Sequence, residues 1–221
     1  MSMSFPNESS DYRTARDKLL QAEIQLRQQV AEVAAQRRQL PIGGQVTEDY
    51  VFSELRDAGR IRPVRMSELF GTHDSLFLYS FMYGPQAEQP CPMCSSLLDA
   101  LNGNAPQISQ RTSLAVIARS GIERVAEFAK QRGWNNLRML SSHDNTYNRD
   151  YFAENTEGEQ FPMANVFVRR DAHIYHFWGS ELFYADVEGQ PRHMDLMWPL
   201  WNLFDALPQG RGEDWYPSLD T

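Results

Sequence analysis

The chain has 221 residues, 42% of them hydrophobic and 23% charged, with a formal net charge of −8. That length is enough for one domain with decorations and a full core. The densest basic cluster is only Arg37-Arg38, which excludes nucleic acid as a natural partner, because phosphate binding needs concentrated Lys and Arg.

The opening residues, MSMSFPNESS, are polar, and the longest apolar stretch, Leu76–Tyr83, is far too short to span a bilayer. The expectation is a cytoplasmic protein without a membrane partner. From Ser10 to Gln39, Leu19, Ala22, Leu26, Val30 and Val33 recur at three- and four-residue steps. This spacing predicts one long helix with a narrow apolar stripe. Ser9 or Ser10 can cap its start, and Leu40-Pro41 ends it. The stripe suits packing on its own domain and equally suits a homodimer through this helix. Residues 1–40 thus read as a helical arm, and 41–221 as the main domain.

Tyr50-Val51-Phe52 predicts a short strand and Met66–Phe70 a single helical turn. Ser75–Tyr83 is almost continuously apolar, as in a strand covered on both faces. A helix follows from Cys91 to Gly103, then a buried strand at Ser113–Ala118. Ile122–Arg132 is an amphipathic helix closed by Gly133, and Leu137–Ser141 a third buried strand. Ser142–Gly158 is rich in Asn and Asp and reads as a loop. Pro162 introduces a strand, Met163–Val168, which turns at Arg170-Asp171 into another, Ile174–Trp178. Met194–Leu207 is the last helix, which Pro199 must kink or restart, and Pro208–Thr221 reads as a surface loop. This order implies an α/β fold with a mixed central sheet flanked by helices.

Both cysteines of the chain fall in one C-x-x-C, Cys91-Pro92-Met93-Cys94. A thiolate rather than a thiol attacks disulfides, so the chemistry needs a cysteine of lowered pKa. Cys91 stands at the first turn of a helix that follows a buried strand, where backbone N–H groups and the helix dipole favour negative charge. Pro92 suits the first helical position. Cys94, one turn on, is the more buried thiol and resolves the mixed disulfide. No flavin or nicotinamide fingerprint is present, so no cofactor is expected and electrons must come from an external thiol reductant.

The segment from Leu76 through CPMC, together with FPMANVFVRRDAHIYHFWG, resembles the thioredoxin superfamily. In that superfamily a cis-proline opens the hairpin beside the dithiol and a glycine follows the hairpin. Pro162 and Gly179 stand at those positions. The resemblance implies a thioredoxin-like fold and substrate contacts from Phe161, Pro162, Pro92 and Met93. RRQLP, EDYVF, SELFG, FMYGP leading into CPMCS, and LPQGRGEDW cover nearly the whole chain. They resemble a bacterial family of unknown function catalogued as thioredoxin-like, predicted dithiol-disulfide oxidoreductases. This implies reduction, oxidation or isomerisation of disulfides in a protein or small-molecule thiol substrate. One departure stands out: thioredoxins keep a buried carboxylate in the strand before the dithiol, and SLFLYSFMY has none. Glu88, Tyr83 and His143 are the candidates for proton transfer.

Three other readings compete. A peroxiredoxin-like thiol peroxidase would carry a threonine three residues before its reactive cysteine and a proline seven before, where this chain has Glu88 and Gly84. Zinc binding would need two more ligands beside the cysteines, and His173 and His176, three apart in a strand, face opposite sides; no metal site is expected. A non-catalytic binding protein could use the aromatic cluster Tyr175, Phe177, Trp178, Phe183 and Tyr184, with Trp198 and Trp201, although core packing accounts for most of these rings.

Overall fold

The computed structural model describes residues 3–56, 59–186, 194–212 and 215–219. The expected arm and tail fall partly outside them, at 1, 2, 213, 214, 220 and 221. The chain divides into two units, Met1–Pro41 and Ile42–Thr221. In the first, helix α1 (Ser10–Arg38) starts where the Ser9 hydroxyl accepts from the Tyr12 amide. Asp11 lies in its first turn and Arg37 and Arg38 in its last, both complementing the helix dipole. No residue of α1 is buried. Among the described residues, no helix is long and apolar enough to cross a membrane.

The second unit contains, among the described residues, one sheet of seven strands. In chain order they are β1 (Val51–Arg56), β2 (Arg60–Arg65), β3 (Ser75–Ser80), β4 (Ser113–Ala118), β5 (Met139–Ser141), β6 (Met163–Arg170) and β7 (His173–Gly179). Their order across the sheet is β2-β1-β5-β4-β3-β6-β7. β3, β4 and β5 run parallel, whereas β6, β7, β1 and β2 are antiparallel to their neighbours. Helices α2 (Met66–Leu69), α3 (Pro92–Ile108), α4 (Ile122–Gln131), α5 (Tyr147–Asp150) and α6 (Pro199–Asp205) complete it. This is a mixed α/β sheet in the thioredoxin-like arrangement: strand, dithiol helix and parallel strand, with an antiparallel hairpin on the other side of the first strand.

Alternation along the central strands builds two cores, because successive side chains point to opposite faces. Leu76 and Leu78 of β3, with Ala115 and Ile117 of β4, pack with Phe52, Phe70, Tyr147 and Phe167. Tyr79, Phe81, Val116 and Ala118 pack on the other face, against Leu97 and Leu98 of α3 and Val125 of α4. The dithiol lies on this second face.

Several elements differ from the sequence expectation. β1 extends to Arg56 and pairs in full register with β2, which the pattern did not show. β2 is the outermost strand, so its exposed arginines and Pro63 are tolerated where a central strand would exclude them. β3 ends at Ser80, although the Phe81 amide still bonds the Ile117 carbonyl at 2.7 Å. α3 continues past Gly103 to Ile108 with Pro106 inside it. The Asn102 carbonyl, which Pro106 has no N–H to satisfy, accepts from Asn136 Nδ2 at 3.2 Å. α5 forms inside the expected loop, where Asn145 Oδ1 accepts from the Tyr147 amide at 3.0 Å and the Tyr147 ring is fully buried. Pro199 restarts the last helix: a 3-10 turn at Asp195–Met197 precedes α6, which has Pro199 in its first turn.

Candidate functional site

Cys91 is the N-cap residue of α3, with extended backbone at φ −61° and ψ 123°. Its sulfur accepts from the Cys94 amide at 3.5 Å, the position a Ser or Thr oxygen takes in an ordinary cap. The cap is held from both sides. The Cys91 amide donates to the Met82 carbonyl at 3.0 Å, and the buried Ser95 hydroxyl donates to the Cys91 carbonyl at 3.0 Å. Both cysteines are free thiols; Cys91 is half-buried and Cys94 buried.

The two thiols differ in acidity. Hydrogen bonding from the Cys94 thiol, aided by the Cys94 and Met93 amides and the Tyr216 hydroxyl, outweighs burial and lowers Cys91 from the ordinary 9.0 to about 6. Burial, with the neighbouring Cys91 charge, pushes Cys94 well up. Two phenols complete the polar surroundings. The Tyr216 hydroxyl lies 3.6 Å from Cys91 Sγ. Tyr79, in β3 and fully buried, has its hydroxyl against the Cys94 sulfur. Burial, reinforced by the cysteine charges, raises both phenols, so they remain donors.

Both cysteines line a recess of about 280 Å³. Met82, Met93, Pro162, Phe183, Trp198 and Trp201 line it with them. Asp195 and Arg211 also line it and are bonded to one another, Arg211 NH1 to Asp195 Oδ2 at 3.1 Å. A larger cleft of about 780 Å³ contains neither cysteine.

Of the residues singled out from the sequence, the structure brings Cys91, Cys94, Met93 and Pro162 together. Pro92 occupies the first helical position and faces a second cleft, of about 550 Å³, which it shares with Cys91. Phe161 is not in the recess lining; its ring centroid stands 6.1 Å from that of Phe183, which is. No described peptide bond is cis, so Pro162 differs in this respect from the thioredoxin proline. Glu88 and Tyr83 line the larger cleft, where Arg124 lies 4.8 Å above the Tyr83 ring. His143 is turned to the Arg119 carbonyl at 3.3 Å. The structure places none of these three at the dithiol. His173 bonds the Asp171 carbonyl and His176 bonds Asn165 Oδ1, away from the cysteines. From the aromatic cluster, Phe183, Trp198 and Trp201 reach the recess, while Tyr175, Phe177, Trp178 and Tyr184 do not line it.

Sequence reasoning missed Tyr79, Tyr216 and Arg211. Tyr79 was visible as the phenol of the apolar strand β3 before the dithiol. Tyr216 and Arg211 lie in a segment whose Gly, Pro and charge read as loop, and no periodicity marks them.

The model of the family described as bacterial protein of unknown function (DUF899) matches residues 2–221. Among curated proteins, none matches. Solved structures to which the fold is similar include reduced Prx3 in complex with H2O2 from Vibrio vulnificus, at 15% identity and TM-score 0.46, covering 63% of this chain and 89% of that one. A PrxQ mutant from Xylella fastidiosa shares 13% identity at TM-score 0.46, over 73% of this chain and 95% of its own. Plasmodium yoelii thioredoxin peroxidase I shares 13% identity at TM-score 0.47, over 79% and 100%.

Proposed function

This chain belongs to the bacterial family DUF899, and from the geometry of its site we propose that it is a thiol-disulfide oxidoreductase with Cys91 as nucleophile and Cys94 as resolving thiol. The observation that carries this reading is the asymmetry of the pair: a half-buried sulfur that caps a helix, with its pKa lowered to about 6, one turn from a buried thiol of raised pKa. A structural pair of small hydrophobes has no use for that difference.

The Cys91 thiolate attacks one sulfur of a substrate disulfide. The Cys91–substrate bond forms as the substrate S–S bond breaks, and the departing thiolate takes a proton from water. Cys94 gives up its proton and attacks Cys91; the Cys91–Cys94 disulfide forms and the second substrate thiolate leaves. Two electrons have passed from protein to substrate. Two equivalents of an external thiol return them and are themselves joined as a disulfide. Reversed, the same steps oxidise a dithiol, and the reduction potential decides the direction. Tyr216 donates a hydrogen bond to the attacking thiolate, and Tyr79 does the same for Cys94 when it ionises. Pro162 and Met93 border the position where the substrate sulfur must stand.

The test is a trapping experiment with Cys94→Ser. Incubated with a disulfide, this variant should accumulate one mixed disulfide per chain, located on Cys91 by peptide mass. An unmodified Cys91 under conditions where a small alkylating reagent reaches it would contradict the reading.

A further inference from the structure

Cys91 borders two hollows. The cleft of about 550 Å³ between the 84–90 and 154–160 loops has Gln86, Gln89, Arg119 and Glu154 around it, although most of its lining surface is apolar. The recess of about 280 Å³ is lined largely by apolar and aromatic residues. The sulfur itself sides with the recess: its partners are the Tyr216 hydroxyl at 3.6 Å and the Cys94 amide at 3.5 Å. Tyr216 and Cys94 both line the recess, and neither lines the other hollow.

The recess lies just below the range of roughly 300–1,000 Å³ typical of small-ligand pockets. Met82, Met93 and Met194 give it adaptable thioether surfaces, and Trp198 and Trp201 give it large rigid faces. Among the described residues, the charged ones of its lining are Asp195 and Arg211, and Arg211 is already bonded to Asp195 at 3.1 Å and to Asp205 at 2.6 Å. The lining guanidinium is thus already engaged by two carboxylates. The C-terminal segment also bounds it: Trp215 stands edge-on to Phe204 at 4.9 Å and Trp201 at 5.8 Å, next to Tyr216. An extended peptide laid across Cys91 from this side would have to displace that segment.

We propose that the substrate is a small apolar disulfide, with one short hydrocarbon group on each sulfur, and that anionic peptide disulfides are discriminated against. This rests on the dithiol reading and names the substrate class for the same site. The exchange is the one written above: Cys91 bonds to one RS group, the other leaves as RS⁻ and is protonated by water, and Cys94 then releases the first.

The experiment compares two disulfides, di-n-propyl disulfide and oxidised glutathione, by the rate at which each forms a mixed disulfide on Cys91 in the full-length Cys94→Ser chain. Each rate is divided by that of dithiothreitol with the same disulfide. The expected result is a preference of at least about tenfold for the propyl compound, the scale on which apolar pockets discriminate. Met93→Gln, at a half-buried position, should reduce that preference severalfold. Trp198→Ala should do the same, with circular dichroism checking that its fold is retained. Equal rates, a preference for glutathione, or a preference that both variants leave intact would overturn the proposal while the dithiol reading stands. If neither disulfide modifies Cys91 although iodoacetamide does, the dithiol reading itself fails.

Discussion

At the scale of the residue, the decisive feature is that a sulfur has been put where a helix needs an N-cap acceptor. A Cys91 pKa of about 6 leaves the thiol about nine-tenths ionised at pH 7, against about one part in a hundred at the ordinary 9.0. The sign follows directly. Thiolate rises with pH, so alkylation of Cys91 should increase through a midpoint near pH 6 and level off above 7. Rates of iodoacetamide labelling between pH 4 and 9 check this, and a midpoint near 8.5 would mean that the cap and the phenol do not stabilise the charge. Removing the Tyr216 hydroxyl with Tyr216→Phe should move the midpoint upward by as much as about one unit, since that contact favours the charged form. The cap also has a structural share. Cys91→Ser keeps an acceptor for the Cys94 amide and should change stability little, whereas Cys91→Ala should lose about 1 kcal/mol in urea unfolding. What could be read in advance at this scale was the C-x-x-C at the start of a helix and the deeper burial of Cys94, because spacing and helix position are properties of the sequence. The phenols could not, since a contact between residues 91 and 216 is made by the fold alone.

At the scale of the element, the site is assembled from three pieces. β3 ends at Ser80 and brings Tyr79 beneath the thiols; the first turn of α3 carries both cysteines; α6 and the segment after it supply the far side. Arg211 pins that last segment through Asp195 and Asp205, with its guanidinium 4.9 Å from the Trp201 ring centroid. If this is how Tyr216 is positioned, Arg211→Ala should raise the midpoint of the Cys91 labelling profile in the same direction as Tyr216→Phe. The double variant should then shift no further than Tyr216→Phe alone, because both remove the same contact. Additive shifts would show that Arg211 acts on Cys91 by another route. The buried strands and the amphipathic α4 were plain from periodicity. β2 was not, because an edge strand needs no apolar face, and α5 was not, because a four-residue helix held by Asn145 and the burial of Tyr147 has no period to display.

At the scale of the whole molecule, one sheet with a core on each face fixes both cysteines, Pro162 and the end of β3 relative to one another. The fold class followed from the chain order of strands and helices, including the antiparallel hairpin that makes the sheet mixed. The residues named as candidates for proton transfer lie elsewhere on the fold. Glu88, Tyr83 and His143 are near the cysteines in sequence or type, yet the 84–90 loop and the β5–α5 turn carry them to other surfaces. The phenols beside the thiols, Tyr79 and Tyr216, are donors with raised pKa. The measurement that tests the account most directly is a redox titration of the purified chain in glutathione buffers, with acid quench and thiol-specific alkylation counted by mass. We predict a single reversible two-electron transition in which Cys91 and Cys94 are protected together, absent in Cys94→Ser. A pair that stays reduced across the whole range, or two thiols that oxidise independently, would contradict it.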